Sequence, residues 1–76
     1  MVACAIFDLN PTYADRVLTF IGSHLGHGRR INSVDPGSLP GLLDVYFIVS
    51  EEDSKDAEDF LFGLKKFSQC RDWDIC

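Results

Sequence analysis

A chain of 76 residues makes one small domain, and a hydrophobic share of 46% gives it the apolar material for a core, which sets it apart from disordered sequences. Its net charge of −5 disfavours nucleic-acid binding through the surface as a whole. No run approaches the ~20 apolar residues of a membrane span.

Val2 to Leu9 is an apolar run of strand length and reads as the first strand. Asn10-Pro11 is a helix start: Asn is a favoured N-cap, and Pro at the first helical position has the right φ and needs no N–H. Tyr13, Val17, Phe20, Ile21 and Leu25 recur at helical spacing. The first helix is therefore expected from Pro11 to Leu25, with Gly26 supplying a left-handed cap. Arg29 to Val34 is mixed in polarity and is an edge-strand candidate. DPGSLPG, Asp35 to Gly41, is a turn by composition.

Leu42 to Val49 is the strongest strand pattern. Leu43, Val45, Phe47 and Val49 face one way, and Asp44, Tyr46 and Ile48 the other. Ser50, with Asp53 three residues on, is expected to cap the second helix, and Ser54 is the competing start. Ala57, Phe60, Leu61, Leu64 and Phe67 form its apolar stripe, and it should end near Ser68. Arg71 to Cys76 is the last strand, with Trp73 and Ile75 on one face and Asp72, Asp74 and Cys76 on the other.

This order predicts an α+β, ferredoxin-like βαββαβ fold in a single domain, 1–76: a four-stranded antiparallel sheet with two helices on one face. Strands one and three should be central, parallel to each other, and linked onward by right-handed crossovers. Ala3, Ala5, Phe7, Val45, Phe47, Trp73 and Ile75 are expected to meet the helices. The opposite face should carry Cys4, Ile6, Asp8, Asp44, Tyr46, Ile48, Asp74 and Cys76. Ile6, Tyr46 and Ile48 would then form an apolar island with an acidic rim, the anatomy of a protein interface, and a homodimer is its simplest version.

Charge is unevenly spread. Through Val34 the chain nets +1; from Asp35 onward ten acids face four bases, a net of −6. Glu51, Glu52, Asp53, Asp56, Glu58 and Asp59 crowd the start of the second helix, and Lys65 and Lys66 lie near its end. A helix macrodipole favours that distribution whatever the function. The same acids form a patch suited to a basic partner surface, with charge steering the encounter. HGRR, His27 to Arg30, is the one basic cluster, and Arg29 and Arg30 are candidates to grip phosphate or another anion.

Metal chemistry has few candidates. His24 and His27 are three apart, but Gly26 falls between them and no third ligand follows. The three cysteines, Cys4, Cys70 and Cys76, lack metal spacing and read as free thiols in small buried or half-buried positions. Asp8 at the end of the first strand could lie opposite Asp72 on the last, and two carboxylates so placed would suit Mg²⁺ or Mn²⁺. The bland alternative is a solvated strand-end pair, or Asp8 capping the turn that follows it. The sequence has no nucleophile elbow, GxGxxG, P-loop or triad spacing.

The Phe7-Asp8 end of the first strand, followed by Asn10, Pro11, Thr12 and Tyr13 into a helix, resembles small ferredoxin-like proteins related to the CRISPR spacer-acquisition nuclease subunit. These include the endoribonuclease antitoxin of type V toxin–antitoxin systems. The resemblance covers about the first twenty residues and the topology. It implies that Asp8 binds metal and that dimers form through the sheet.

Three functions are therefore carried forward. The first is a non-enzymatic protein-binding regulator or inhibitor, phage or mobile-element encoded in the manner of anti-CRISPR or antitoxin proteins, that docks on a nucleic-acid-handling partner. It would use Glu51, Glu52, Asp53, Asp56 and Asp59 for charge, Tyr46 and Ile48 for apolar contact, and no cofactor. The second is a metal-dependent endoribonuclease dimer using Asp8. The third is a small-molecule-sensing domain, since this topology serves many functions. The opening MVACAIFDL lacks a basic segment and reaches Asp8 early, so no secretory leader is expected, and the cytoplasm of the producing or host cell is the expected location.

Overall fold

The Asn10 carboxamide oxygen accepts the Thr12 N–H at 3.0 Å, and Pro11 opens the turn that follows. The structure, a computed structural model, describes residues 2–25 and 31–76. Its elements are β1 (Val2–Leu9), a 3-10 turn (Pro11–Tyr13), α1 (Ala14–Leu25), β2 (Ile31–Pro36), β3 (Leu43–Val49), α2 (Ser54–Lys66) and β4 (Asp72–Ile75). The strand order β2-β3-β1-β4 with two helices is a ferredoxin-like α+β fold.

All three strand pairings are antiparallel. β1 and β3 are central, as expected, but they run antiparallel to each other and not parallel. The like-directed strands are β1 with β2 and β3 with β4, each pair separated by one strand and joined through a helix.

The larger correction concerns the faces of β1. Cys4 and Ile6, expected on the uncovered side, are buried with Val45, Phe47 and Val49, and Ile6 is fully inaccessible. Directly paired residues share a face, and Cys4 pairs with Phe47 while Ile6 pairs with Val45. Ala3, Ala5 and Phe7 therefore take the outer side. β1 is apolar at both parities, so alternation alone leaves its phase open. Asp8 decides it. Between Ile6 and Leu9 the register shifts, with Ile6 opposite Val45 and Leu9 opposite Leu43, so β1 carries one residue more than its partner. Asp8 has φ 55 in that bulge. The added residue lets Ile6 and Leu9 both point inward.

Both helices cover this one side. Val17 and Ile21 of α1 join Ala57, Leu61 and Leu64 of α2 in the same buried cluster. Phe20 and Phe60 stack between the helices, ring centroids 4.1 Å apart and 2° from parallel. Trp73 and Ile75 pack against the cluster from β4, on the side their alternation predicts.

Element ends differ where local hydrogen bonding competes. The stretch from Pro11 begins as a 3-10 turn, and α1 proper starts at Ala14. The Ser50 hydroxyl donates to Asp53 Oδ2 at 3.0 Å and its oxygen accepts the Asp53 N–H at 3.3 Å, which closes a separate turn, so α2 starts at Ser54. At its far end Ser68 adopts φ 58; its N–H bonds to Lys65 O and the Gln69 N–H to Leu64 O, a Schellman cap with serine in the usual glycine position. Phe67, expected in the buried stripe, falls at this cap and is 66% exposed, with the Lys66 ammonium 5.8 Å from its ring. β2 extends through Asp35 and Pro36, leaving a tighter turn in which Gly37 N–H bonds to Leu42 O and Gly41 takes φ 83. The Gly26 cap lies outside the described residues.

Candidate functional site

Asp8 is the candidate that the fold treats most distinctively. Its side chain is 1% exposed, and Asp is among the residues that tolerate positive φ. Oδ1 accepts the Ser38 N–H at 2.7 Å and the Leu39 N–H at 3.4 Å. Oδ2 accepts the Ser38 hydroxyl at 2.5 Å and Arg71 Nε at 2.6 Å. The 37–42 turn thus wraps the carboxylate, and a Cβ on Gly37 would collide with Asp8 Oδ1. Asp8 N–H in turn donates to Asp44 Oδ1 at 2.9 Å.

These donors set the charge state. The Ser38 hydroxyl first, then the Arg71 guanidinium and the Ser38 and Leu39 N–H groups, hold the Asp8 carboxyl at about 2 against the opposing effect of burial. The same contact with Asp8 raises Arg71. Four donors occupy the roughly four acceptor positions of a carboxylate. A cation already sits against one oxygen, so these residues do not fit Mg²⁺ or Mn²⁺, which needs those lone pairs. Asp8 was expected, if not a metal ligand, to cap the turn that follows β1; its carboxylate instead holds the 37–42 turn, thirty residues on.

Asp72 pairs with Phe7 across β1 and β4. Its Oδ1 accepts the Trp73 N–H at 2.9 Å and Lys65 Nζ at 3.1 Å, and these contacts lower its carboxyl, the Trp73 N–H most. Asp8 and Asp72 each answer to a separate cation. Among the described residues no group of three or more His, Cys, Asp or Glu is placed to hold a metal.

The acidic residues lie at the other end of the sheet, because antiparallel β1 and β3 place Val2 beside Val49 and Leu9 beside Leu43. Glu51, Glu52, Asp56 and Asp59 are exposed, whereas Asp53 is half-buried against Ser50. Asp59 takes Lys55 Nζ at 3.0 Å. Tyr46 and Ile48 stand half-buried on the uncovered side, as expected. Their companion is Phe7 and not Ile6: the Phe7 and Tyr46 rings meet edge to face, centroids 6.3 Å apart at 77°. The Arg71 guanidinium lies 5.8 Å over the Phe7 ring. Phe7 was expected against the helices, and neither Ser38 nor Arg71 was given a role at the site from sequence; the signal available for Arg71 was its place as the one arginine in the acidic part of the chain.

Arg29, Arg30 and His27 lie outside the described residues. Cys4 and Cys70 are buried and Cys76 is exposed, all three as free thiols. Burial, with a smaller contribution from Cys76, pushes the Cys4 thiol up to about 11, and burial raises Cys70 as well. An apolar cleft of about 80 Å³ lies between α1 and the β2 side of the sheet, lined by Val17, Leu18, Val34 and Leu43 among others. Ligand pockets usually hold roughly 300–1,000 Å³, so this cleft is small for a sensor site.

No family model matches the chain, and no curated protein matches it. Among solved structures it is similar to the protein of "Crystal structure of PH0061", at 22% identity over 99% of this chain and 49% of that one, with a TM-score of 0.42. The chain thus spans about half the length of that protein. No helix among the described residues is long and apolar enough to cross a membrane.

Proposed function

We propose that the protein is a small, acidic, non-enzymatic regulator or inhibitor that docks on a basic surface of a nucleic-acid-handling protein, in the manner of an anti-CRISPR or antitoxin protein. The contrast between the two candidate sites carries this reading. Asp8, the residue a metal-dependent reaction would need, spends both oxygens on donors within the fold. Glu51, Glu52, Asp56 and Asp59 are exposed, Asp59 alongside Lys55, in the part of the chain that nets −6. A concentrated negative patch speeds encounter with a positive one and competes with phosphate for it. In this reading the cytoplasm of the producing or host cell is where it acts.

The test has two arms. In the first, capture of partners from host lysate is compared between the native protein and a Glu51→Lys/Glu52→Lys/Asp56→Lys variant across a salt series. Capture that weakens with salt and disappears in the variant supports the reading; capture indifferent to both defeats it. In the second, the protein is incubated with RNA and Mg²⁺ or Mn²⁺ beside Asp8→Asn. Cleavage that vanishes in the variant would establish the endoribonuclease instead.

A further inference from the structure

We infer that the uncovered side of the sheet is a second contact surface of this binding protein, and that its occupant is a basic polypeptide segment carrying Lys or Arg among apolar side chains. This rests on the binding reading above and gives the partner a further place on the molecule. Pairing sets out the surface row by row. Asp74 lies beside Ala5, which lies beside Tyr46. Asp72 lies beside Phe7, and Asp35 directly opposes Asp44 across β2 and β3. Ala3 and Ala5 keep the middle of β1 low, so Tyr46 and Ile48 border a shallow trough on one side and Asp74 borders it on the other. Phe7, already beneath Arg71, and Tyr46 contribute aromatic surface at one end, and the Tyr46 ring is of the kind that attracts cations.

Charge selects the occupant. Two carboxylates directly opposed on a sheet repel each other. Among the described residues, Asp35 accepts the Ser33 hydroxyl, Asp44 the Asp8 N–H, and Asp74 lies 4.0 Å from the Cys76 thiol, and none of the three forms an ion pair there. Among the described residues, Arg71 is bonded to Asp8 and Lys65 to Asp72, and the charge of Arg71 is shared with Asp72 and Asp44 at longer range. A second copy placed face to face would bring the same carboxylates toward one another, a juxtaposition that costs binding. A basic segment relieves the repulsion and covers the apolar trough at once.

The test is a titration of the labelled protein with a short amphipathic Lys/Leu peptide and a Glu/Leu counterpart, followed by amide chemical shifts. The Lys/Leu peptide should shift Ala3 to Phe7 and Tyr46 to Ile48, and the Glu/Leu peptide should not. Asp44→Asn/Asp74→Asn keeps the acceptor for the Asp8 N–H while removing two charges, so it should fold normally and bind about fivefold more weakly. Shifts confined to Glu51 to Asp59 would overturn the sheet as a docking surface and leave the acidic-patch reading standing. No Lys/Leu binding, with salt-sensitive lysate capture intact, would also overturn this inference alone. Equal binding of both peptides, or concentration-dependent shifts on the sheet without peptide, would overturn the choice of a basic occupant, the latter in favour of a second copy.

Discussion

Arg71 Nε donates to Asp8 Oδ2 at 2.6 Å, a contact between residues 63 positions apart in sequence. Arg71 N–H also donates to Phe7 O at 2.9 Å, so backbone and side chain together fasten the entry of β4 to the end of β1. Ser38 brings the 37–42 turn to the same carboxylate. Three distant segments share one anion.

Replacing that anion should rank by how many donors it strands. Asp8→Asn retains acceptor capacity and tolerates φ 55, whereas Asp8→Val retains neither. Thermal unfolding should give native above Asn above Val, with the Val variant lower by several degrees or more. Equal midpoints for Asn and Val would show that the carboxylate is not an anchor.

Acid should act through the same residue. The Asp8 carboxyl moves from its ordinary 3.8 to about 2 on folding, so its contribution is full above 3.8 and is lost as pH falls toward about 2. Asp72, also lowered, acts with the same sign. Urea midpoints measured between these pH values should fall steeply for the native protein and less steeply for Asp8→Asn.

Gly37→Ala tests the packing of the turn. Its Cβ would meet Asp8 Oδ1 and the Leu42 carbonyl carbon and oxygen, so the turn must shift away from the carboxylate. A loss of about 1–3 kcal/mol in chemical unfolding is expected, the usual cost of overfilling a tight site.

Ser68→Gly should stabilise. Ser68 pays for a left-handed conformation at φ 58 that glycine adopts without strain, and its side chain is exposed. A gain of about 1 kcal/mol in urea unfolding is expected, less whatever glycine adds to unfolded-chain entropy.

Thiol chemistry should separate the cysteines. Cys76 should react promptly with a disulfide reagent in the native protein, while buried Cys4, raised to about 11, and Cys70 should wait for unfolding. Titration of released chromophore with and without denaturant should read about one thiol and then all three.

Sequence carried the fold wherever polarity alternated. β3 sets charged and polar Asp44 and Tyr46 against Val45 and Phe47, and β4 sets Asp72 and Asp74 against Trp73 and Ile75, so their faces were legible. β1 offers apolar residues at both parities, and its phase depended on a bulge that no local propensity announces. Asp8 was legible as a special position but not in its role, because that role needs Ser38 and Arg71, thirty and sixty-three residues away. Phe67 fits helical spacing, yet the reversal at Ser68 ends the helix first.

The residue inserted at Asp8 also dictates how β1 can vary. Phe7 and Leu9 have the same parity in an unbroken strand, but here they answer to opposite surroundings, one outward and one inaccessible. Deleting a single residue between them would turn Leu9 out to water or drag Phe7 among the helices. Any drift of this strand over generations must therefore preserve its length before it preserves its letters.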